Sequence, residues 1–113
     1  MKRVVISGMG VSIPDAVISN EELVDSFNLW VERENAVRAA KGDEPLQKSS
    51  VDFIYHASGI GQRHVHTRDG ILDIDRMAPR IAARDDETLS VLAEFGAAAA
   101  RNALANAGVE APD

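Results

Sequence analysis

Three histidines are the side chains in this sequence best suited to acid–base or metal chemistry. His64 and His66 occupy alternate positions of an extended stretch, and alternate residues of a strand share one face, as two ligands of one metal ion would. No third ligand follows at a suitable spacing. We therefore expect these two residues and His56 to lie on the surface or in hydrogen bonds, and the sequence predicts no metal site.

A glycine pair near the start of the chain suggests nucleotide binding but lacks the rest of the pattern. Gly8 and Gly10 match the first two glycines of a dinucleotide-binding loop. Ile13 stands at the third glycine position, and Pro14 follows where a helix N-terminus would receive the pyrophosphate. We interpret the pair as the turn after a strand.

Two further features limit the possible chemistry. Asp73 and Asp75 lack the oxygen-rich spacing of a calcium loop and are followed by Arg76, which favours a solvated loop or a local ion pair. The sequence contains no cysteine, so no disulfide, thiolate metal ligand or cysteine nucleophile lies within it.

Length and composition indicate a globular domain. The chain has 113 residues, 45% of them hydrophobic, and Lys and Arg total 12 against 18 Asp and Glu, for a net charge of -6. This balance argues against nucleic-acid binding, because phosphate backbones would be repelled. Apolar stretches are too short to span a membrane, and Met1–Arg3 does not lead into a signal-peptide core. We expect a cytoplasmic protein.

The middle of the chain predicts a short helix, a glycine turn and a strand. Ser49 and Asp52 form a capping pattern, so the helix is expected to start at Ser49. It should stop at Ser58, because Gly59 is suited to a left-handed C-terminal cap. The alternating stretch 62–67 then has the period of a strand.

Two long helices flank this region. Ser19 and Glu22 form a capping box for the first, which should continue to Ala40 and stop at Gly42. Its apolar face is Leu23, Phe27, Trp30 and Val31, with Trp30 interpreted as a core or partner-facing anchor in preference to a ligand-stacking group.

The second long helix is rich in alanine. Asp85–Glu87 should lie at its start, where the helix dipole favours negative charge, and Gly108, Val109 and Pro112 should end it. Gly96 and the alanines that follow predict close packing against a sheet and another helix.

The predicted elements do not complete an α/β domain. Val4–Ile6 has the composition of a strand buried on both faces, and such strands need neighbours on both sides. Nothing else in the sequence supplies them. We therefore expect an N-terminal piece that folds with the remainder of the same protein, bound as a second polypeptide.

Four stretches, in this order and spacing, resemble the β-ketoacyl-acyl-carrier-protein synthase III family of the thiolase superfamily. They are Val4–Pro14, Ser19–Leu23, Phe53–Arg63 with its Gly-Ile pair, and Ala107–Val109. The resemblance implies an α/β, thiolase-like fold of which residues 1–113 form the N-terminal portion. Relative to shorter members, Asn28–Lys48 looks like an inserted helix and loop, which predicts either altered acyl-donor choice or a solvated elaboration.

The resemblance also implies an acyltransferase of fatty acid biosynthesis. Members join an acyl-CoA to malonyl-acyl-carrier protein by a decarboxylative Claisen condensation, act as homodimers and use no separate cofactor. The catalytic Cys, His and Asn would lie outside this segment, which alone is expected to be inactive. The alternatives are another thiolase-like acyltransferase, such as a head-to-head acyl condensing enzyme, and a non-catalytic thiolase-like partner subunit.

Part of the family's coenzyme A tunnel can be carried over to this sequence. The matching positions are Ser49, Phe53, Ala57 and Ser58, with Phe53 expected to stack on adenine or, alternatively, to lie in the core. Ala57 replaces the family's arginine, and Gly61 replaces a frequent basic residue. Both charges would bind phosphate or the acidic carrier protein, so their loss argues against an acetyl-CoA preference and leaves room for a longer acyl donor.

Overall fold

The computed structural model describes residues 1–111 as a mixed α/β arrangement of three helices and two strands. In chain order these are β1 (Ala16–Ser19), α1 (Asn20–Lys41), α2 (Val51–Ser58), β2 (Gln62–Val65) and α3 (Val91–Ala107). The chain divides into two compact units, one of Met1–Ile13 with Ala82–Asp113 and one of Pro14–Ile81. None of the helices described is long and apolar enough to cross a membrane.

The unit Pro14–Ile81 contains a two-stranded antiparallel sheet. In its register Ala16 pairs with Val65 and Ser19 with Gln62. Ile18 on β1 is buried, with 1% of its surface exposed. The predicted strand at 62–67 is therefore confirmed but ends at Val65. Its partner β1 was not predicted, because four residues are too few to show a period against the cap that follows.

Helix α1 begins and ends where its capping residues predict. Ser19 Oγ accepts a hydrogen bond from the Glu22 amide at 3.1 Å, and Glu22 Oε2 accepts one from the Ser19 amide at 2.9 Å. Gly42 closes the helix with a φ of 76°, a left-handed conformation that favours glycine. The most buried apolar residues of the helix are Val24 and Val31, which lie one heptad apart and anchor α1 in this unit.

Two asparagines of α1 hold the chain that returns after the helix, residues 43–50, which we call the return segment. Asn28 Oδ1 accepts a hydrogen bond from the Ser49 amide at 2.8 Å, and Asn28 Nδ2 donates to the Ser49 carbonyl at 3.0 Å. Asn35 contacts both backbone groups of Leu46 in the same way, at 2.7 and 3.0 Å. Each amide side chain thus pairs with the chain as a neighbouring strand would, and together they place Ser49 against α1.

Helix α2 starts one residue later than predicted. Its N-cap is Ser50, whose hydroxyl accepts from the Phe53 amide at 3.1 Å, and not Ser49. The physical reason is that both backbone groups of Ser49 are bound to Asn28, so Ser49 belongs to the return segment. The predicted end at Ser58 is confirmed, with Gly59 at a φ of 68°.

Arginines fix the irregular stretch that ends this unit. Arg80 bridges two carboxylates, Asp69 at 3.0 Å and Asp73 at 2.9 Å, and Arg33 of α1 forms an ion pair with Asp75. The amide of Asp75 donates to Asp73, and this bond together with Arg80 holds the pKa of Asp73 below its usual value. The interpretation of these aspartates as ion-pair partners is confirmed.

In the other unit, α3 packs against the N-terminal segment through small residues. A Cβ built on Gly10 would lie 2.3 Å from both the Ala103 nitrogen and the Ala99 oxygen, and one on Gly8 would lie 2.7 Å from the Ala107 Cβ. Only glycine permits so close an approach of the two backbones. The glycine pair therefore serves helix packing.

Two asparagines of α3 complete this contact. Asn102 Nδ2 donates to the Val11 carbonyl at 2.8 Å, and Asn106 Oδ1 accepts from the Met9 amide at 3.1 Å. By contrast, nothing lies within 4 Å of a Cβ built on Gly96. The prediction of close packing at Gly96 is thus wrong for the part of the chain that the structure describes.

The start of α3 also differs from the prediction. Asp85 is in a turn, where its carboxylate accepts from the Thr88 amide at 2.8 Å and the Thr88 hydroxyl at 2.6 Å. These bonds hold the pKa of Asp85 below its usual value. The helix begins after Ser90, whose hydroxyl accepts from the Ala93 amide at 3.2 Å. Ser90 thus caps one of the first amides of the helix, which the acidic residues Asp85–Glu87 do not reach. The end at Gly108 is confirmed, whereas Pro112 lies outside the described residues.

Val4–Ile6 forms no strand within residues 1–111, which corrects the prediction of a buried strand. Val4, Val5 and Ile6 are 97%, 77% and 86% exposed. The residues have strand composition, but β1 and β2, the two strands described, pair with each other. A buried strand requires neighbours to supply hydrogen bonds and cover its faces.

Candidate functional site

A cavity of about 310 Å³ brings two of the predicted tunnel residues together. It lies among α1, the return segment and the start of α2, and its lining residues are Phe27, Gln47, Lys48, Ser49 and Phe53. We call it the rim cavity. Phe53 is 67% exposed, so it is not part of the core of this unit, and its ring is open to a flat ligand.

A second cavity of about 320 Å³ adjoins the first, sharing Phe27 and Ser49 with it. Its other lining residues are almost all apolar: Leu23, Val24, Ser26, Ile54, Ile71 and Met77. Phe27 also packs against Trp30, with ring centroids 5.8 Å apart, so Trp30 supports the wall. Both volumes fall at the lower end of the range for small-molecule sites. The rim cavity, which includes Gln47 and Lys48, therefore lies beside a more apolar cavity.

The other two predicted tunnel residues lie at the far end of α2. Ala57 and Ser58 are exposed, and neither lines the two cavities. Ser58 Oγ donates to the Ile54 carbonyl at 2.7 Å and accepts from the Ile60 amide at 3.2 Å, so it stabilises the helix end. The structure therefore joins Ser49 and Phe53 in one site and leaves Ala57 and Ser58 beside it.

Asn20 fixes the turn that follows α2. Its side-chain Nδ2 donates to the Ile60 carbonyl at 2.6 Å, and its backbone amide donates to the Gly61 carbonyl at 3.1 Å. Asn20 Oδ1 accepts from Arg63 Nη1 at 2.8 Å. Asn20 is 1% exposed, and these bonds satisfy a buried polar side chain. Two of the stretches that carry the family resemblance are thereby connected directly.

Among the carboxylates that the structure describes, Glu22 has the most strongly lowered pKa. Arg68 binds both of its oxygens and also donates to the Val17 carbonyl, and the Ser19 amide adds a further hydrogen bond. These donors lower the pKa of Glu22 to about 2, with the Arg68 hydrogen bond as the largest cause. The same pair raises the pKa of Arg68. The pair is structural, since it ties α1 to the chain after β2.

The histidines do not form a reactive cluster. His64 Nδ1 lies 2.7 Å from the Pro14 carbonyl oxygen, which uses one ring nitrogen for the fold. Within residues 1–111, no group of three or more His, Asp or Glu side chains is placed to hold a metal ion. His56 lies exposed on α2.

Sequence reasoning missed most of the wall of the rim cavity. Gln47 and Lys48 belong to a segment without periodicity, and Lys48 forms an ion pair with Glu32 of α1. The available signal was the pair Asn28 and Asn35, which lie about two helical turns apart on α1 and so mark a face that binds a backbone.

The family follows from comparison with known proteins. The family model for the β-ketoacyl synthase N-terminal domain matches residues 1–113. The chain therefore belongs to the β-ketoacyl synthase family and is a thiolase-like N-terminal domain.

One curated relative is similar to most of this chain. Over 94 residues the chain is 45% identical to the β-ketodecanoyl-acyl-carrier-protein synthase of Pseudomonas aeruginosa. The match covers 80% of this chain and 27% of that relative, so the chain spans well under two thirds of the relative's length.

Proposed function

We propose that this chain is the N-terminal part of a β-ketoacyl-acyl-carrier-protein synthase of type III, which condenses an acyl-CoA with malonyl-acyl-carrier protein. The observation that carries the proposal is the match to a β-ketodecanoyl-acyl-carrier-protein synthase over 80% of the chain. The order of the family stretches and the placing of Ser49 and Phe53 in one cavity add support.

The same match supports a medium-chain primer. A β-ketodecanoyl product has ten carbons, and malonyl contributes two of them once its free carboxylate has left as carbon dioxide. The primer is then an eight-carbon acyl thioester, and coenzyme A leaves as the thiol when the acyl group is transferred.

In this proposal the described residues help to bind the acyl-CoA, and the catalytic residues lie in the rest of the protein. A cysteine outside the segment would take the acyl group, with His and Asn assisting decarboxylation of the malonyl thioester. The remainder of the protein would also complete the thiolase-like domain, and the complete enzyme would act as a homodimer.

An activity assay of the complete protein tests the proposal. Purified protein is incubated with malonyl-acyl-carrier protein and either octanoyl-CoA or acetyl-CoA, and products are identified by mass spectrometry. We expect β-ketodecanoyl-acyl-carrier protein, carbon dioxide and free coenzyme A, with octanoyl-CoA favoured. Condensation of two acyl thioesters without malonyl would establish the head-to-head alternative, and absence of any condensation would favour the non-catalytic subunit.

A matched pair of substitutions on α2 tests the site. Phe53→Ala removes an exposed ring of the rim cavity, and we expect coenzyme A to bind about tenfold more weakly, in line with the loss of one stacking contact. Tyr55→Ala removes a similarly exposed ring that does not line either cavity and should leave binding unchanged. Calorimetric titration of the complete protein measures both, and equal affinities for the two variants would remove Phe53 from the site.

A further inference from the structure

We propose that Lys48 binds a phosphate group of the acyl-CoA in the rim cavity. The inference rests on the proposed function and names the group that supplies the positive charge missing at Ala57 and Gly61. Lys48 lies outside the positions that the family resemblance carries over.

The position of Lys48 supports this role. It lines the rim cavity together with Ser49 and Phe53. Of the five residues that line this cavity, Lys48 is the one with a positive charge. Coenzyme A has an adenine ring close to several phosphate oxygens, so an aromatic face next to an ammonium group and an amide, here Gln47, matches its nucleotide end.

Three other cations of this unit already have partners inside it. Arg63 donates to buried Asn20, Arg68 binds both oxygens of Glu22, and Arg80 bridges two aspartates. Withdrawing any of them would break contacts that hold the unit together.

Among the described residues, Lys48 forms a single ion pair. Its ion-pair partner is Glu32, and the two side chains are 53% and 56% exposed. Exposed pairs of this kind contribute little stability, so Lys48 can leave Glu32 for a phosphate, whose charge attracts it more strongly. Glu32 would then oppose the ligand by like-charge repulsion, which gives its removal an effect of opposite sign.

The test measures the affinity of the complete protein for coenzyme A by calorimetric titration. We expect Lys48→Met to weaken binding about tenfold, as for one charge-assisted hydrogen bond in a solvated site, and Lys48→Arg to restore most of it. Lys41→Met, which removes an equal charge at the end of α1, is the matched control and should have no effect.

A second variant separates ligand binding from a structural role of the ion pair. Glu32→Gln should strengthen coenzyme A binding, because it frees Lys48 and removes a repelling carboxylate. If Lys48 acts only through the ion pair, Glu32→Gln and Lys48→Met will weaken binding equally, and the proposal fails.

A third measurement, with dephospho-coenzyme A, identifies the phosphate. If Lys48→Met weakens coenzyme A alone, the contact is to the ribose phosphate; if it weakens both ligands, the contact is to the diphosphate. Unchanged affinity of Lys48→Met in a protein that binds coenzyme A would refute the role of Lys48 and leave the proposed function standing. Failure of the unaltered protein to bind coenzyme A would instead count against the proposed function.

Discussion

Replacement of Asn20 by alanine should loosen the turn after α2 without affecting the other unit. The substitution removes the donor to the Ile60 carbonyl at 2.6 Å and the acceptor of Arg63 at 2.8 Å. The backbone bond from residue 20 to Gly61 is left in place. The turn therefore loses its side-chain support while keeping one main-chain contact.

The magnitude follows from the two bonds lost. A neutral bond is worth about 1 kcal/mol and one from a charged donor about 1.5–3 kcal/mol. Ile60 is 44% exposed, so its carbonyl can turn to water, whereas Arg63 is half-buried and loses its partner. We expect a cost of about 2–3 kcal/mol, which corresponds to roughly 30- to 150-fold faster amide exchange in the turn when exchange proceeds through local opening.

Hydrogen exchange followed by mass spectrometry in the complete protein measures the local opening of this turn. Peptides covering residues 16–24 and 58–66 should exchange faster in Asn20→Ala, whereas peptides of α3 should not change. Asn106→Ala is the matched control, because it removes one exposed bond, to the Met9 amide, in the other unit. A change of less than about threefold in the 58–66 peptide would show that Asn20 does not hold the turn. A double-mutant cycle that combines Asn20→Ala with Arg63→Met measures the interaction energy between these two side chains.

Two further predictions concern packing and pH. Gly10→Ala places a Cβ 2.3 Å from the backbone of α3, so we expect a lower melting temperature and faster exchange at residues 8–12. The control Gly96→Ala meets open space and should raise helix stability by up to about 1 kcal/mol; equal effects of the two would refute the close-approach argument. For pH, Glu22 has a lowered pKa, so its ion pair stabilises the fold above its ordinary pKa of 4.5 and that contribution is lost as pH falls through about 2. The unfolding free energies of wild type and Arg68→Met, measured by urea denaturation from pH 7 to 2, should converge below pH 4.5, and a constant difference across this range would contradict the assignment.

Local capping signals predicted the helices well, because they act within a few residues. The box at Ser19 and the left-handed glycines at Gly42 and Gly59 gave correct helix ends. Two starts were wrong for the same reason. Ser49 and Asp85 are both suitable caps, but each is already bound in another contact. Asn28 binds the backbone of Ser49, and Thr88 binds the carboxylate of Asp85.

Long-range contacts could not be read from the sequence. The bond between Asn20 and Arg63 and the pairing of β1 with β2 join residues more than forty positions apart, and no period records them. The tunnel positions came from the family resemblance, which had no means of identifying Lys48. The structure brings two of them, Ser49 and Phe53, together with Lys48 in one cavity. The small residues of α3 predicted that another segment approaches this helix closely. The segment that does so contains Gly10, which the sequence pattern had assigned to a turn.

The paired asparagines of α1 restrict where this protein can be lengthened. Asn28 and Asn35 face the return segment because they are about two turns apart, and a helix rotates about 100° per residue. A single codon added or deleted between them would turn one amide away and shift Ser49 out of register with the cavity. The exposed bend at Gly42 and Asp43 lies outside the stretch between the two asparagines. A peptide tag or fluorescent reporter inserted there should therefore leave the wall of the rim cavity in place.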